Sequence, residues 1–210
     1  RQSSPVDGIV TLHDLAHQPP RKAEREFKRA WAARDKGNLD VAIMSFHKAI
    51  ALDPKYCAAL NDLGITYLQT DQVDLAIEQF NKIIAIDPHS SSAYSNLAIG
   101  SLRKEQFTDG ERLARRALAL DRTSTHGQLA LGVSLILQKQ FTPEMERSLT
   151  KAAAGFPQAD FWLAIGLLHK GERESAKDHL KVYLASSEKD CIESARSLLQ
   201  QLELNADSKQ

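Results

Sequence analysis

The stretch from Lys48 to Leu68, KAIALDPKYCAALNDLGITYL, decides the fold because it recurs twice downstream. From Lys82 the chain reads KIIAIDPHSSSAYSNLAIGSL, and from Arg116 it reads RALALDRTSTHGQLALGVSLIL, a spacing of 34 residues each time. The register is unbroken: Asp53/Asp87/Asp121, Leu63/Leu97/Leu131, Gly64/Ala98/Gly132, Ile65/Ile99/Val133 and Leu68/Leu102/Ile136 share positions. A period of about 34 residues is that of a two-helix unit, and such units stack into an array whose inner face binds other molecules.

Working outward, small and large residues alternate where helices must touch. Ala42, Ala76 and Gly110 share one register and Phe46, Phe80 and Ala114 another. Small residues permit close helix approach and aromatics fill the space between layers, so every helix carries the apolar stripe of a layered helical protein. The pairs are expected at 21–36 with 39–52, turning at Gly37-Asn38, then 55–69 with 73–86, and 89–103 with 107–120. Asp53-Pro54 and Asp87-Pro88 read as an N-cap followed by a first-turn proline. Arg122 replaces that proline in the next unit and leaves the turn to Asp121, Thr123 and Ser124.

The fourth unit keeps register in its first helix, 124–138, and starts its second at Thr142-Pro143 with one inserted residue. The fifth, 157–170 with 172–186, turns early at Gly171, which predicts a loop about two residues short. Ser187 reads as the cap of a closing helix over 190–204, the polar end that an array requires. Residues 1–20 carry Pro5, Gly8, Pro19 and Pro20 and are expected to be a non-helical extension with an apolar thread of Val6, Ile9, Val10, Leu12 and Leu15. Residues 205–210 are expected to fray, which makes 21–204 the repeat domain.

Lys+Arg and Asp+Glu number 27 each, so the whole molecule has no long-range field to steer nucleic acid or an anionic membrane. No apolar run reaches the ~18 residues of a membrane span, and no membrane insertion is expected. Two cysteines, Cys57 and Cys191, are too few for a disulfide framework. The first residue is Arg1 rather than Met, as expected of a processed or truncated product.

Catalytic signatures are lacking: the sequence holds no Gly-rich phosphate loop, HExxH, CxxC or G-x-S-x-G elbow. His13 and His17 are four apart, but the surrounding Pro and Gly oppose a shared helix face and no third metal ligand follows. His126, His169 and His179 read as surface or groove polar residues. The expectation is a protein with no catalytic residue, metal or cofactor. Residues 21–36 are basic, with seven Lys and Arg against three acids. A basic helix can recruit an acidic peptide or a phosphate backbone, but without interleaved aromatics this one reads as a solvated first helix.

These residues together resemble the tetratricopeptide repeat family over about 21–204, most closely from Gly37 to Gln138. The matching positions are Leu63, Gly64, Tyr67, Ala76, Phe80 and Pro88 in the best unit, Ala30, Ala42, Phe46, Ala49 and Pro54 before it, and Tyr94, Leu97, Ala98 and Ala117 after it. The lead-in IVTLHDLAHQPPRKAEREF also resembles the approach to the repeat region of some bacterial envelope proteins, which favours a periplasmic or envelope location over a cytoplasmic one. The family resemblance implies an all-α, right-handed superhelical solenoid of about five antiparallel helix pairs plus a C-terminal closing helix.

The resemblance further implies a concave groove lined by the first helix of each pair. Carried over, it comprises Phe27, Trp31, Asn61, Ile65, Leu68, Ser95, Ile99, Leu102, Arg103, His126, Leu129, Val133 and Ile136, with Leu163 and Leu167 beyond. Members that grip acidic chaperone tails use cationic and asparagine residues where this chain has Phe27, Trp31, Asp62, Ser92 and Asn96, so that clamp is missing. Ile65/Ile99/Val133/Leu167 form an apolar rail that is either interhelix core or a contact strip. In the second case an amphipathic helix or an extended apolar peptide suits it, with Phe27 and Trp31 as aromatic anchors. The expected function is therefore a non-catalytic protein-interaction scaffold, whose partner is another protein, its own N-terminal extension or another copy. The alternatives are a self-associating structural subunit and the regulatory half of a larger envelope protein or enzyme.

Overall fold

A computed structural model of the 210-residue chain describes residues 17–186, 188 and 190–207. The apolar thread of the extension and the expected cap Ser187 lie outside these residues. The described residues form eleven α-helices and no strand: α1 (Arg21–Asp35), α2 (Leu39–Leu52), α3 (Cys57–Gln69), α4 (Val73–Ile86), α5 (Ser91–Arg103), α6 (Phe107–Leu120), α7 (Thr125–Leu137), α8 (Pro143–Ala153), α9 (Gln158–Lys170), α10 (Arg173–Ala185) and α11 (Ile192–Asp207). This is the all-α class of antiparallel helix pairs with a closing helix. The chain divides into two compact units, Arg1–Gly100 and Ser101–Gln210.

In the first unit α1 packs on α2, α2 on α3, and α3 on α4. In the second, α6 packs on α7, which is also covered by α8 and α9, and α10 lies between α9 and α11. Gly127 to Ile136 are consequently all buried. That explains why α7 reads as apolar on every side rather than amphipathic.

Among the described residues one turn is used five times. The N–H of Asn38 reaches the carbonyl of Ala33 at 2.9 Å, and Gln72–Tyr67, Gln106–Ser101, Gln140–Leu135 and Glu172–Leu167 repeat the bond at 2.8–2.9 Å. This six-residue closure needs a left-handed residue just before it. Gly37 at φ +75° and Gly171 at φ +84° supply it without a side-chain clash, whereas Asp71, Glu105 and Lys139 adopt φ 58–59°.

The turn at Gly171 corrects one expectation. Arg173 follows it two residues on, as Leu39, Val73 and Phe107 follow Gly37, Asp71 and Glu105. The loop, 171–172, is one residue shorter than 36–38, 70–72 and 104–106 rather than two, and the shortened helix is α8, with 11 residues against 14 in α2, α4 and α6. The insertion falls where expected but is two residues rather than one: α8 starts four residues after Lys139, its N-cap Thr142 accepting the N–H of Met145 at 3.3 Å ahead of Pro143.

The Asp-Pro pairs are corrected too. They do not cap the following helices, which start later, at Cys57 and Ser91. Asp53 and Asp87 end the preceding helices in extended geometry. Their carboxylates accept the N–H groups of Lys55 at 3.2 Å and His89 at 3.0 Å, folding the chain into a side-chain turn over the proline. The caps are Ser90, which accepts the N–H of Ala93 at 3.3 Å, and Ser124, which accepts that of Gly127 at 3.1 Å.

The packing ladder is as the repeat requires. Leu63, Leu97 and Leu131 are buried, as are Ala42, Ala76, Phe46 and Phe80. A Cβ on Gly64 would stand 2.4 Å from the Phe80 ring, and one on Gly132 would stand 2.5 Å from Leu149. Gly64 is small because its partner is large. The closing helix begins at Ile192 and continues to Asp207, past the expected end at 204.

Candidate inner face of the first unit

The first helices of the pairs in this unit, α1 and α3, together with α5 up to Gly100, place Phe27, Trp31, Asn61, Ile65, Leu68, Ser95 and Ile99. Phe27 turns inward, its ring centroid 5.8 Å from that of Phe46 and 5.0 Å from that of Tyr56. Ser95 and Leu68 are buried, and the Ser95 hydroxyl donates to the carbonyl of Ser91 at 3.0 Å. Trp31, Asn61, Ile65 and Ile99 remain half-buried.

Trp31 is held on three sides. Its Nε1–H donates to Asp62 Oδ2 at 2.7 Å, the guanidinium of Arg34 lies 4.0 Å over its ring, and Phe27 meets it edge-on at 6.5 Å. Arg34 Nη1 stands 3.6 Å from Asp62 Oδ1 and closes the cluster. Burial pushes the Asp62 carboxyl above its ordinary value, against the pull of Arg34, Trp31 and Asn61, which favour the charged form. Asn61 continues the polar line: its Oδ1 accepts from Asn96 Nδ2 at 2.8 Å. Asp62 and Asn96 stand at the clamp positions read from the sequence, whereas Arg34 was not among the groove residues expected. The legible signal was an acid beside Leu63 in an otherwise apolar helix.

In the second unit the corresponding residues are placed differently. Leu129, Val133, Ile136, Leu163 and Leu167 are all at most 8% exposed, so the rail there is core. Leu102 is half-buried and Arg103 exposed. The histidines read from sequence as merely polar have specific neighbours: His126 meets Phe156 edge-on at 4.4 Å, His169 stacks on Phe141 at 4.4 Å, and His179 pairs with Asp160 at 2.7 Å. In the first unit His17 Nε2 lies 2.7 Å from the buried Asp53, while His13 falls outside the described residues. Among the described residues no group of three His, Cys, Asp or Glu is placed to hold a metal ion, and no helix is long and apolar enough to cross a membrane.

A family model described as Tetratricopeptide repeat matches residues 33–98. The crystal structure of TTC0263, a thermophilic TPR protein of Thermus thermophilus, superposes with a TM-score of 0.70 at 20% identity, covering 87% of this chain and 99% of that one. Residues 33–98 are tetratricopeptide repeats, and the fold of the chain is that of tetratricopeptide repeat proteins. Two further structures similar to this repeat protein are PilW, a widely conserved type IV pilus biogenesis factor, and MamA. PilW gives a TM-score of 0.71 at 21% identity over 90% of this chain and 94% of that one. MamA gives 0.58 at 25% identity over 74% and 92%. No curated protein matches the sequence at a significant level. Tetratricopeptide repeats are in general scaffolds for protein–protein contact rather than catalysts.

Proposed function

We propose that the protein is an interaction scaffold whose first unit takes an apolar or amphipathic peptide of a partner protein on its inner face. One observation carries the reading. Trp31, Ile65 and Ile99 occupy the same position of three successive 34-residue units and are all half-exposed, whereas Val133, one unit further on, is buried. Apolar residues at one position of successive first helices offer the anchors that a helical or extended peptide needs. Trp31 is the leading anchor, because Asp62, Arg34 and Phe27 fix its ring beforehand. A side chain already held in one orientation has little freedom left to lose on binding. Asn61 adds a polar group beside the apolar ones.

The chain has two tryptophans, Trp31 and Trp162, so Trp162→Phe leaves Trp31 as the sole indole reporter. Titration with amphipathic helical peptides should give a saturable change in Trp31 emission. The Ile65→Asp/Ile99→Asp variant should lose it. Unchanged binding in that variant would contradict the proposal, and a response that follows protein concentration with no peptide present would point to self-association instead.

A further inference from the structure

The outward side of α1 carries a second surface, separate from the inner face. Arg21, Lys22, Arg25, Lys28 and Arg29 are all exposed, and at 3.6 residues per turn they fall within about 120° of the helix circumference. Ala23 and Ala30 are buried on the opposite side. Only Ala32 interrupts the stripe, and no apolar or aromatic side chain larger than that stands in it. The acids of the segment lie at its margins: Glu24 pairs with Lys28 at 2.6 Å, Glu26 approaches Arg29 at 3.8 Å, and Asp35 closes the helix. Both paired cations remain accessible, with 73% and 61% of their side chains exposed. From Arg21 to Lys36 seven cations stand against three acids, in a chain whose overall charge is zero.

The fold does not ask for this pattern. Arg21 and Lys22 open the helix, where the macrodipole disfavours positive charge, and the first turn holds a single acid, Glu24. Glu24 attracts Arg21 and offsets only part of that charge, and a local rule broken with so little compensation marks a place shaped by something other than stability. We infer that this face docks on an anionic lipid surface, its arginines and lysines meeting headgroup phosphates. Clusters of four to eight basic residues on an amphipathic helix have this affinity. With no apolar side chain larger than that of Ala32 in the stripe, adsorption is peripheral and electrostatic. The same lack of stacking side chains disfavours a single-stranded nucleic acid.

The test uses the full chain and phosphatidylcholine vesicles with increasing phosphatidylglycerol, read by co-sedimentation. Partitioning should rise with phosphatidylglycerol and fall with salt. Arg21→Gln/Arg25→Gln, which removes two exposed cations, should weaken it by roughly fivefold per cation, with the circular dichroism unchanged. Ile65→Asp/Ile99→Asp should bind vesicles like the parent, which separates this surface from the peptide site. The inference is overturned if the chain stays in the supernatant, if the arginine variant partitions equally, or if duplex DNA or polyglutamate binds as tightly as the vesicles and loses affinity in the same variant.

Discussion

Replacing Gly64 by alanine tests the packing of the repeat at its tightest point. A Cβ there would stand 2.4, 2.7 and 3.0 Å from Phe80 Cε1, Cζ and Cδ1, and Phe80 is fully buried. In an exposed helix the same substitution would stabilise by about 1 kcal/mol. Overpacking a filled core costs roughly 1–3 kcal/mol, so Gly64→Ala should be destabilising by up to ~2 kcal/mol. Phe80→Leu removes the two nearer ring atoms. In that background Gly64→Ala should become neutral or stabilising, a coupling of about 1–3 kcal/mol between the two sites. The sequence has already made a related exchange: one unit on, the corresponding residues are Ala98 and Ala114. Urea unfolding of the parent, both single variants and the double variant measures the cycle. Additivity within ~0.5 kcal/mol, or a stabilised Gly64→Ala, would refute the argument.

Three further outcomes follow from the same structure. Lys139 holds φ 59°, which costs a non-glycine residue about 1–2 kcal/mol; after the entropy lost on introducing glycine, Lys139→Gly should raise stability by up to ~1 kcal/mol, and Gly37→Ala should lower it by ~1–2 kcal/mol, both read from urea midpoints. Asp62 is held above the ordinary carboxylate value of 3.8, chiefly by burial, so the folded state keeps its proton to higher pH than the unfolded one. The contribution of Asp62 to stability is therefore greatest below pH 3.8 and declines as pH rises from there through the folded value. Asp62→Asn should remove that decline while still accepting the Trp31 N–H, seen as a flatter profile of unfolding midpoint against pH. Finally, Leu63→Ala should destabilise by ~2–5 kcal/mol, the range for a buried leucine, whereas half-exposed Ile65→Ala should lose less in the same titration.

What could be read in advance depended on how repetitive the signal was. Leu63, Leu97 and Leu131 recur at one spacing and all face the core, so helix pairing was legible in the sequence alone. The Asp-Pro pairs misled because an aspartate before proline serves equally as a helix cap and as a side-chain turn. Only the backbone decides, and here the bonds run to Lys55 and His89. The left-handed turn was visible at Gly37 and Gly171 but hidden at Asp71, Glu105 and Lys139, where backbone closure overrides residue preference. At the candidate site the rail looked uniform from Ile65 to Leu167. Burial divides it, leaving Ile65 and Ile99 half-exposed and Val133 in the core, and the shortened unit before Gly171 puts Ile165 rather than the buried Leu167 at that position. The burial of one apolar face depends on which helices cover it, and α7 is covered by three neighbours. The Trp31–Asp62–Arg34 cluster joins residues about one repeat apart, which no local pattern reveals.

Site-specific photo-crosslinking tests the claim of an inner binding face most directly. A photoreactive side chain would be placed at position 65, on the inner face, and separately at Met44, which is 56% exposed on α2, with both proteins expressed in the source organism. Position 65 should yield a discrete covalent adduct with another protein that disappears when Trp31 is also changed to alanine, and position 44 should not yield that adduct. The same adduct from both positions, or its persistence in the Trp31→Ala protein, would contradict the account.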